Sequence, residues 1–164
     1  MKNWLTMLAL APIAFAMALP ALALSTAMTE QDLLEKSDVV ARVRVLSVTC
    51  TSLAKDEKTG EELPSYLARL KILESKKGSV EKGGEVLVTW RAVPKDADGR
   101  WAVYYYPGEE VWTHLTLRSG GVSYATTWWN GKGDALKNPD TRDLPTIPGE
   151  SVVAEPEPQQ QTPL

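Results

Sequence analysis

The chain has 164 residues, 43% of them hydrophobic and 24% charged, which suits one ordinary domain and excludes a mainly disordered polypeptide. One cysteine excludes an intrachain disulfide framework and a cysteine-rich zinc site, and one histidine leaves little for a His-based metal site or a catalytic triad. The formal net charge of −3 offers no basic excess to neutralise phosphates, so nucleic acid is not an expected partner.

Residues 1–23 have the pattern of a secretory signal peptide. Lys2 is a short positive start, Trp4 to Leu19 is an uncharged apolar run, and Ala21 and Ala23 are the small residues a signal peptidase requires. The competing reading is an uncleaved anchor, since Trp4 to Leu24 is just long enough to span a bilayer. Pro12 and Pro20 interrupt that run and no basic stop-transfer cluster follows, so cleavage after Ala23 is the expectation. The mature chain would lose Lys2 alone, keep 17 basic and 21 acidic residues, and lie in the periplasm or outside the cell without a membrane anchor. In that oxidising setting Cys50 has no intrachain partner, and its place in an apolar strand face predicts burial.

The domain proper is expected over 24–138. Thr29 followed by Asp32 reads as a helix cap, with Leu33 and Leu34 as the apolar positions and an end near Lys36 or Ser37. Val39, Ala41, Val43 and Val45 then alternate with more polar residues, as in a half-buried strand. From Leu46 the phase inverts: Leu46, Val48 and Cys50 become the apolar set, as an inserted bulge residue would cause. A charged hairpin loop is predicted at 55–62, followed by a strand with Tyr66, Ala68, Leu70 and Ile72 on one face. Turn glycines at Gly78, Gly83 and Gly84 precede a strand at Glu85 to Arg91, and Pro94 to Gly99 is a loop. Val111 to Arg118 and Val122 to Trp129 read as a final hairpin around Gly120-Gly121. At least five strands and one short helix make the fold all-β, a small antiparallel barrel or sandwich.

Residues 139–164 differ in composition. They hold six of the eleven prolines and no aromatic residue, which predicts an extended, disordered Pro- and Gln-rich tail.

Four stretches carry a family resemblance. Leu34-Glu35-Lys36-Ser37-Asp38-Val39-Val40-Ala41-Arg42-Val43 leads from helix into strand, Leu70 to Gly78 is a strand ending in Lys-Gly, Gly84-Glu85-Val86-Leu87-Val88 follows, and Tyr106-Pro107-Gly108-Glu109-Glu110-Val111 leads into another strand. In this order the body resembles exported bacterial domains with the five-stranded OB-type barrel of the tissue inhibitors of metalloproteinases and netrin-like modules. The resemblance implies a fold and a binding role without enzymatic activity. Those inhibitors act through an N-terminal cysteine, whereas this mature chain would begin Leu24-Ser25-Thr26, so no inhibitory residue has a counterpart.

The aromatic residues supply the candidate site. Nine of the ten in the mature chain lie in 90–129. Neighbours in a strand face opposite ways, so Tyr104-Tyr105-Tyr106 and Trp128-Trp129 cannot all be core. Trp101, Tyr104, Tyr105, Tyr106, Trp128 and Trp129 are therefore the expected partner-binding set. His114 reads as an outward strand residue rather than a ligand, and Asp96 and Asp98 as solvated loop carboxylates without a calcium ladder. No Gly-x-Ser-x-Gly, phosphate loop or His-Glu-x-x-His is present, so catalytic residues, metal and cofactor are all expected to be none. The function so predicted is an exported, non-catalytic module that binds a protein. The alternative is a carbohydrate- or cell-wall-binding module using the Trp/Tyr surface.

Overall fold

The computed structural model describes residues 26–94, 99–133 and 143–156. The predicted leader with its cleavage site, the Asp96 and Asp98 pair, and tail residues 139–142 and 157–164 lie outside the described residues.

Helix α1 spans Glu30–Lys36. The Thr29 hydroxyl accepts the Asp32 amide at 3.1 Å, satisfying one of the donors a helix start leaves open. At the other end the Lys77 ammonium donates to the Leu34 and Glu35 carbonyls at 2.7 and 3.2 Å, a cation at the negative pole of the helix. Leu33 is the one buried side chain of α1.

The strands follow as β1 Val39–Lys55, β2 Glu62–Lys77, β3 Glu85–Arg91, β4 Glu110–Leu117, β5 Tyr124–Thr126 and β6 Ser151–Val153. The long β1 pairs with β2 along one edge, and the phase inversion has the cause expected of it. Val45 faces Leu70 and Ser47 faces Arg69, so Leu46 is an extra residue with no partner across the ladder. Before it Val39, Ala41, Val43 and Val45 are buried; after it Val48 and Cys50 are. The β1–β2 connection is the predicted charged hairpin. Gly78 ends β2 at φ +99°, where a Cβ would lie 2.6 Å from the Asp38 carbonyl, so only glycine fits.

Five strands close on themselves in the order β1-β2-β3-β5-β4-β1. The closing pairs are antiparallel except β3 with β5, which run parallel and meet at Val88↔Tyr124. Inward residues from β1, β2, β3 and β4 fill the interior, with Val43, Leu70, Val88 and Leu115 fully buried. The chain is thus mostly β with one short helix and a closed five-stranded barrel.

Two expectations are corrected. The strand predicted over Val122 to Trp129 is three residues long, Tyr124–Thr126, and Trp128 and Trp129 lie in the turn that follows it. The alternation rule therefore does not govern that tryptophan pair. The segment 143–156 was expected to belong to a disordered tail, yet it carries β6. Ser151–Val153 pair with Thr49–Ser47 on the β1 edge that β4 leaves after Arg44. The pairing is extended by Glu150 and Gly149 bonding both backbone groups of Cys50, and by the Ala154 amide on the Leu46 carbonyl. Pro145 is buried and Leu144 packs against the core. Proline density did not preclude order here because Pro145, Pro148 and Pro156 lie outside the paired stretch 149–154, so no ladder amide is missing.

Candidate functional site

The barrel is unevenly closed. Past Val88 the end of β3 leaves β5, and a cleft of about 680 Å³ opens there. Its walls come from the β1–β2 hairpin (55–58), the end of β3 (89–91), the segments 92–94 and 99–103, Arg118 after β4, and β5. Part of the lining is apolar, including Leu63, Val93, Pro94, Val103 and Ala125. The charged lining among the described residues is Lys55, Lys58, Arg91, Arg100 and Arg118, against Asp56 and Glu57.

Side-chain bonds hold this end together. Asp56 accepts Arg100, tying the 99–103 segment to the hairpin tip. The Arg100 guanidinium foremost, then the Thr59 amide, hold the Asp56 carboxyl well below the usual carboxylate range. The Arg118 guanidinium donates to the Thr89 carbonyl at 2.7 Å, capping a group on the β3 edge where β5 has departed. Beneath lies an aromatic cluster. Trp90 packs 5.2 Å from Tyr66, 6.3 Å from Tyr104 and 5.6 Å from Tyr105. Burial raises the Tyr66 and Tyr104 phenols above their ordinary values. Trp90 is 9% exposed, and its Nε1–H has no acceptor among the described residues.

The predicted site residues divide between core and surface. Tyr105 is a core residue: it is fully buried, which leaves no surface for a partner. Its hydroxyl bridges Thr113 at 2.6 Å and Thr126 at 2.8 Å, linking β4 to β5, and burial pushes its phenol up to about 12. Tyr104 and Tyr106 are half-buried, so they are walls of the barrel end more than free surface. Lys132 donates to the Tyr104 carbonyl at 2.8 Å and to buried Glu109 at 2.7 Å, and its ammonium lies 5.5 Å from the Tyr106 ring. Trp101 is 37% exposed and sits edge-to-face on Trp128 at 5.4 Å, with the Trp128 indole donating to the Thr26 carbonyl at 3.0 Å. Trp129 is exposed. Of the six, Trp101 alone lines the cleft.

Sequence reasoning missed Trp90 as the cleft floor and the cationic residues around it. Trp90 falls within the strand predicted over Glu85 to Arg91 and is buried there with Val86 and Val88. The cations come from four separate stretches, so no local motif marks them. His114 is half-buried with Nδ1 3.2 Å from the Gly131 carbonyl. Among the described residues no group of three His, Cys, Asp or Glu side chains could hold a metal ion. No helix among them is long and apolar enough to cross a membrane.

No protein-family model, curated protein or solved structure matches the chain.

Proposed function

We propose that this chain is an exported, non-catalytic binding module built on an OB-type barrel, and that it engages a protein partner through the cleft at the barrel seam. The fold assignment is supported by the ring order β1-β2-β3-β5-β4-β1 with its parallel β3–β5 pair, and by the bulged β1 that serves both β2 and β4. Export is supported by Lys2, the apolar run and the Ala21-x-Ala23 site.

The observation that carries the binding role is the cleft itself. It is a concavity of ligand-site size, with apolar walls, converging polar groups and an exposed tryptophan at its rim. Loops that a rigid barrel positions are where binding residues concentrate. Exposed Trp101 and Trp129 favour a second reading, stacking on a carbohydrate.

The test is a photo-crosslinking residue substituted for Trp101 in cells that make the protein. A discrete protein adduct, absent when the same group replaces exposed Leu34 on α1, is the expected result. Absence of any position-specific protein adduct overturns the protein-partner reading. Saturable binding of a neutral cell-wall oligosaccharide, lost in Trp101→Ala, would establish the second reading in its place.

A further inference from the structure

The chain carries a net charge of −3, yet its cleft concentrates the opposite sign. Among the described residues, five cationic side chains line it against two carboxylates, and one of those, Asp56, is already paired with Arg100. Lys55, Lys58, Arg91 and Arg118 are then the described cations set against Glu57. At physiological ionic strength fields are screened beyond about 8 Å, so a ligand in the cleft senses these neighbours more than the acidic average. We infer that the cleft binds an acidic peptide segment in which carboxylates flank an aliphatic side chain. This inference rests on the cleft being the binding site, and it names the chemistry of the partner.

Four observations select this ligand. The cationic side chains are exposed, whereas Leu63 and Pro94 of the apolar lining are buried and Val93, Val103 and Ala125 half-buried, so the charge stands nearer to solvent than the apolar surface does. Arg91 and Arg118 carry planar guanidinium groups, which suit carboxylates, and each spends one donor on the protein: Arg91 Nε on the Ser65 hydroxyl and an Arg118 Nη on the Thr89 carbonyl. Single-stranded nucleic acid needs exposed aromatic faces on which successive bases stack. Here the Trp90 ring is buried, and Trp101 is the one exposed aromatic among the described lining residues, so the cleft has no run of aromatic faces for successive bases. The volume of about 680 Å³ accommodates a short segment rather than a folded surface.

The experiment uses the full mature chain and a short fluorescein-labelled peptide alternating Glu with Leu, followed by fluorescence anisotropy at about 0.15 M ionic strength. Controls are the same peptide with Gln for Glu, an oligothymidylate and a neutral oligosaccharide. The expected result is saturable binding of the Glu peptide, about tenfold or more weaker for the Gln peptide and about tenfold weaker for Lys55→Gln/Lys58→Gln, whose exposed side chains make no core contact. Equal binding of the two peptides, no change in the double variant, or no binding of the Glu peptide up to millimolar concentration would overturn the inference. Tighter binding of the oligothymidylate would do so in favour of nucleic acid. A protein adduct at position 101 together with a negative peptide result would leave the cleft a binding site and remove only its acidic ligand. Loss of both would remove the proposed function as well.

Discussion

The β1–β2 wall and the β3–β5 seam are opposite solutions to closing one barrel. The wall is a long ladder from Val40↔Lys77 to Lys55↔Glu62, paired throughout despite four register shifts, and the seam is a single residue pair, Val88↔Tyr124. Side-chain bonds join the elements around that seam instead: Tyr105 ties β4 to β5 through Thr113 and Thr126, Lys132 bonds Glu109, Arg118 bonds the Thr89 carbonyl of β3, and Arg100 bonds Asp56 of the hairpin. A backbone ladder survives most substitutions because every residue type supplies it. Side-chain stitches are specified one residue at a time. The molecule therefore places its cleft where its closure depends on particular side chains, and the wall behind it is a frame.

The sharpest test of this contrast is Lys132→Met. Glu109 is 1% exposed, and removing Lys132 leaves its buried carboxylate without a counter-charge, held by the Tyr106 amide at 3.3 Å. Breaking such a pair from one side costs about 3–5 kcal/mol. Denaturant unfolding should show a loss of that size, and Lys132→Met with Glu109→Leu should recover part of it. A loss under about 1 kcal/mol would mean the ion pair does not hold this end of the barrel.

Alkaline pH attacks the same region through Tyr105. Its phenol is pushed from 10.0 up to about 12, so the folded state holds that proton more tightly than the unfolded chain. Below pH 10 both states keep the proton and the contribution is fully present. Between about pH 10 and 12 the unfolded chain ionises first, and stability should fall by about 1.4 kcal/mol per pH unit. Tyr66 and Tyr104, also raised by burial, add in the same direction. Tyr105→Phe should flatten the slope measured by denaturant titration across this window. An unchanged slope would assign it to the other tyrosines.

Which of these features the sequence made legible follows from the range of the signal. The bulge at Leu46 could be read because it inverts a period-two pattern within one strand. The Thr29 cap, the charged hairpin and the strand at Glu85–Arg91 are likewise local patterns. Tyr124–Thr126 could not be bounded, since Val122 and the tryptophans prolong an apolar pattern past the point where pairing ends. β6 is three residues beside prolines, too short for periodicity; it is ordered by an edge of β1 about a hundred residues earlier in the chain. The cleft was hidden for a related reason. Lys55, Arg91, Arg100 and Arg118 are unremarkable singly, and only ring closure brings them together.

That edge supplies the next prediction. A chain ending at Asn138 loses β6, its bonds to Leu46 and Cys50, and the packing of Leu144 and Pro145. The wall keeps its β2 ladder, so the loss should be about 1–3 kcal/mol, short of unfolding. Hydrogen exchange in the shortened chain should rise at Val48 and Cys50 and leave the Val43 and Val45 region protected. An unchanged midpoint would make the strap an ornament of the frame.

The smallest stability effects belong to the rim, where Trp128 and Trp129 separate two kinds of surface tryptophan. Trp128 is half-buried, touches Trp101 edge-to-face at 5.4 Å and donates its indole N–H to Thr26 at 3.0 Å. An aromatic pair contributes about 0.5–1.5 kcal/mol, and a hydrogen bond a similar amount, so Trp128→Ala should cost about 1–3 kcal/mol. Trp129 is 41% exposed and outside the Trp101 contact, and Trp129→Ala should stay near 0.5 kcal/mol, the usual scale of a surface change. The two variants should differ in binding as well. Removing Trp128 frees the Trp101 ring that forms the cleft rim, so affinity at the cleft should fall with Trp128→Ala and hold with Trp129→Ala. Equal thermal shifts in the two variants would show that adjacency in sequence matters more than the Trp101 contact, and the rim would then extend beyond the cleft to include Trp129.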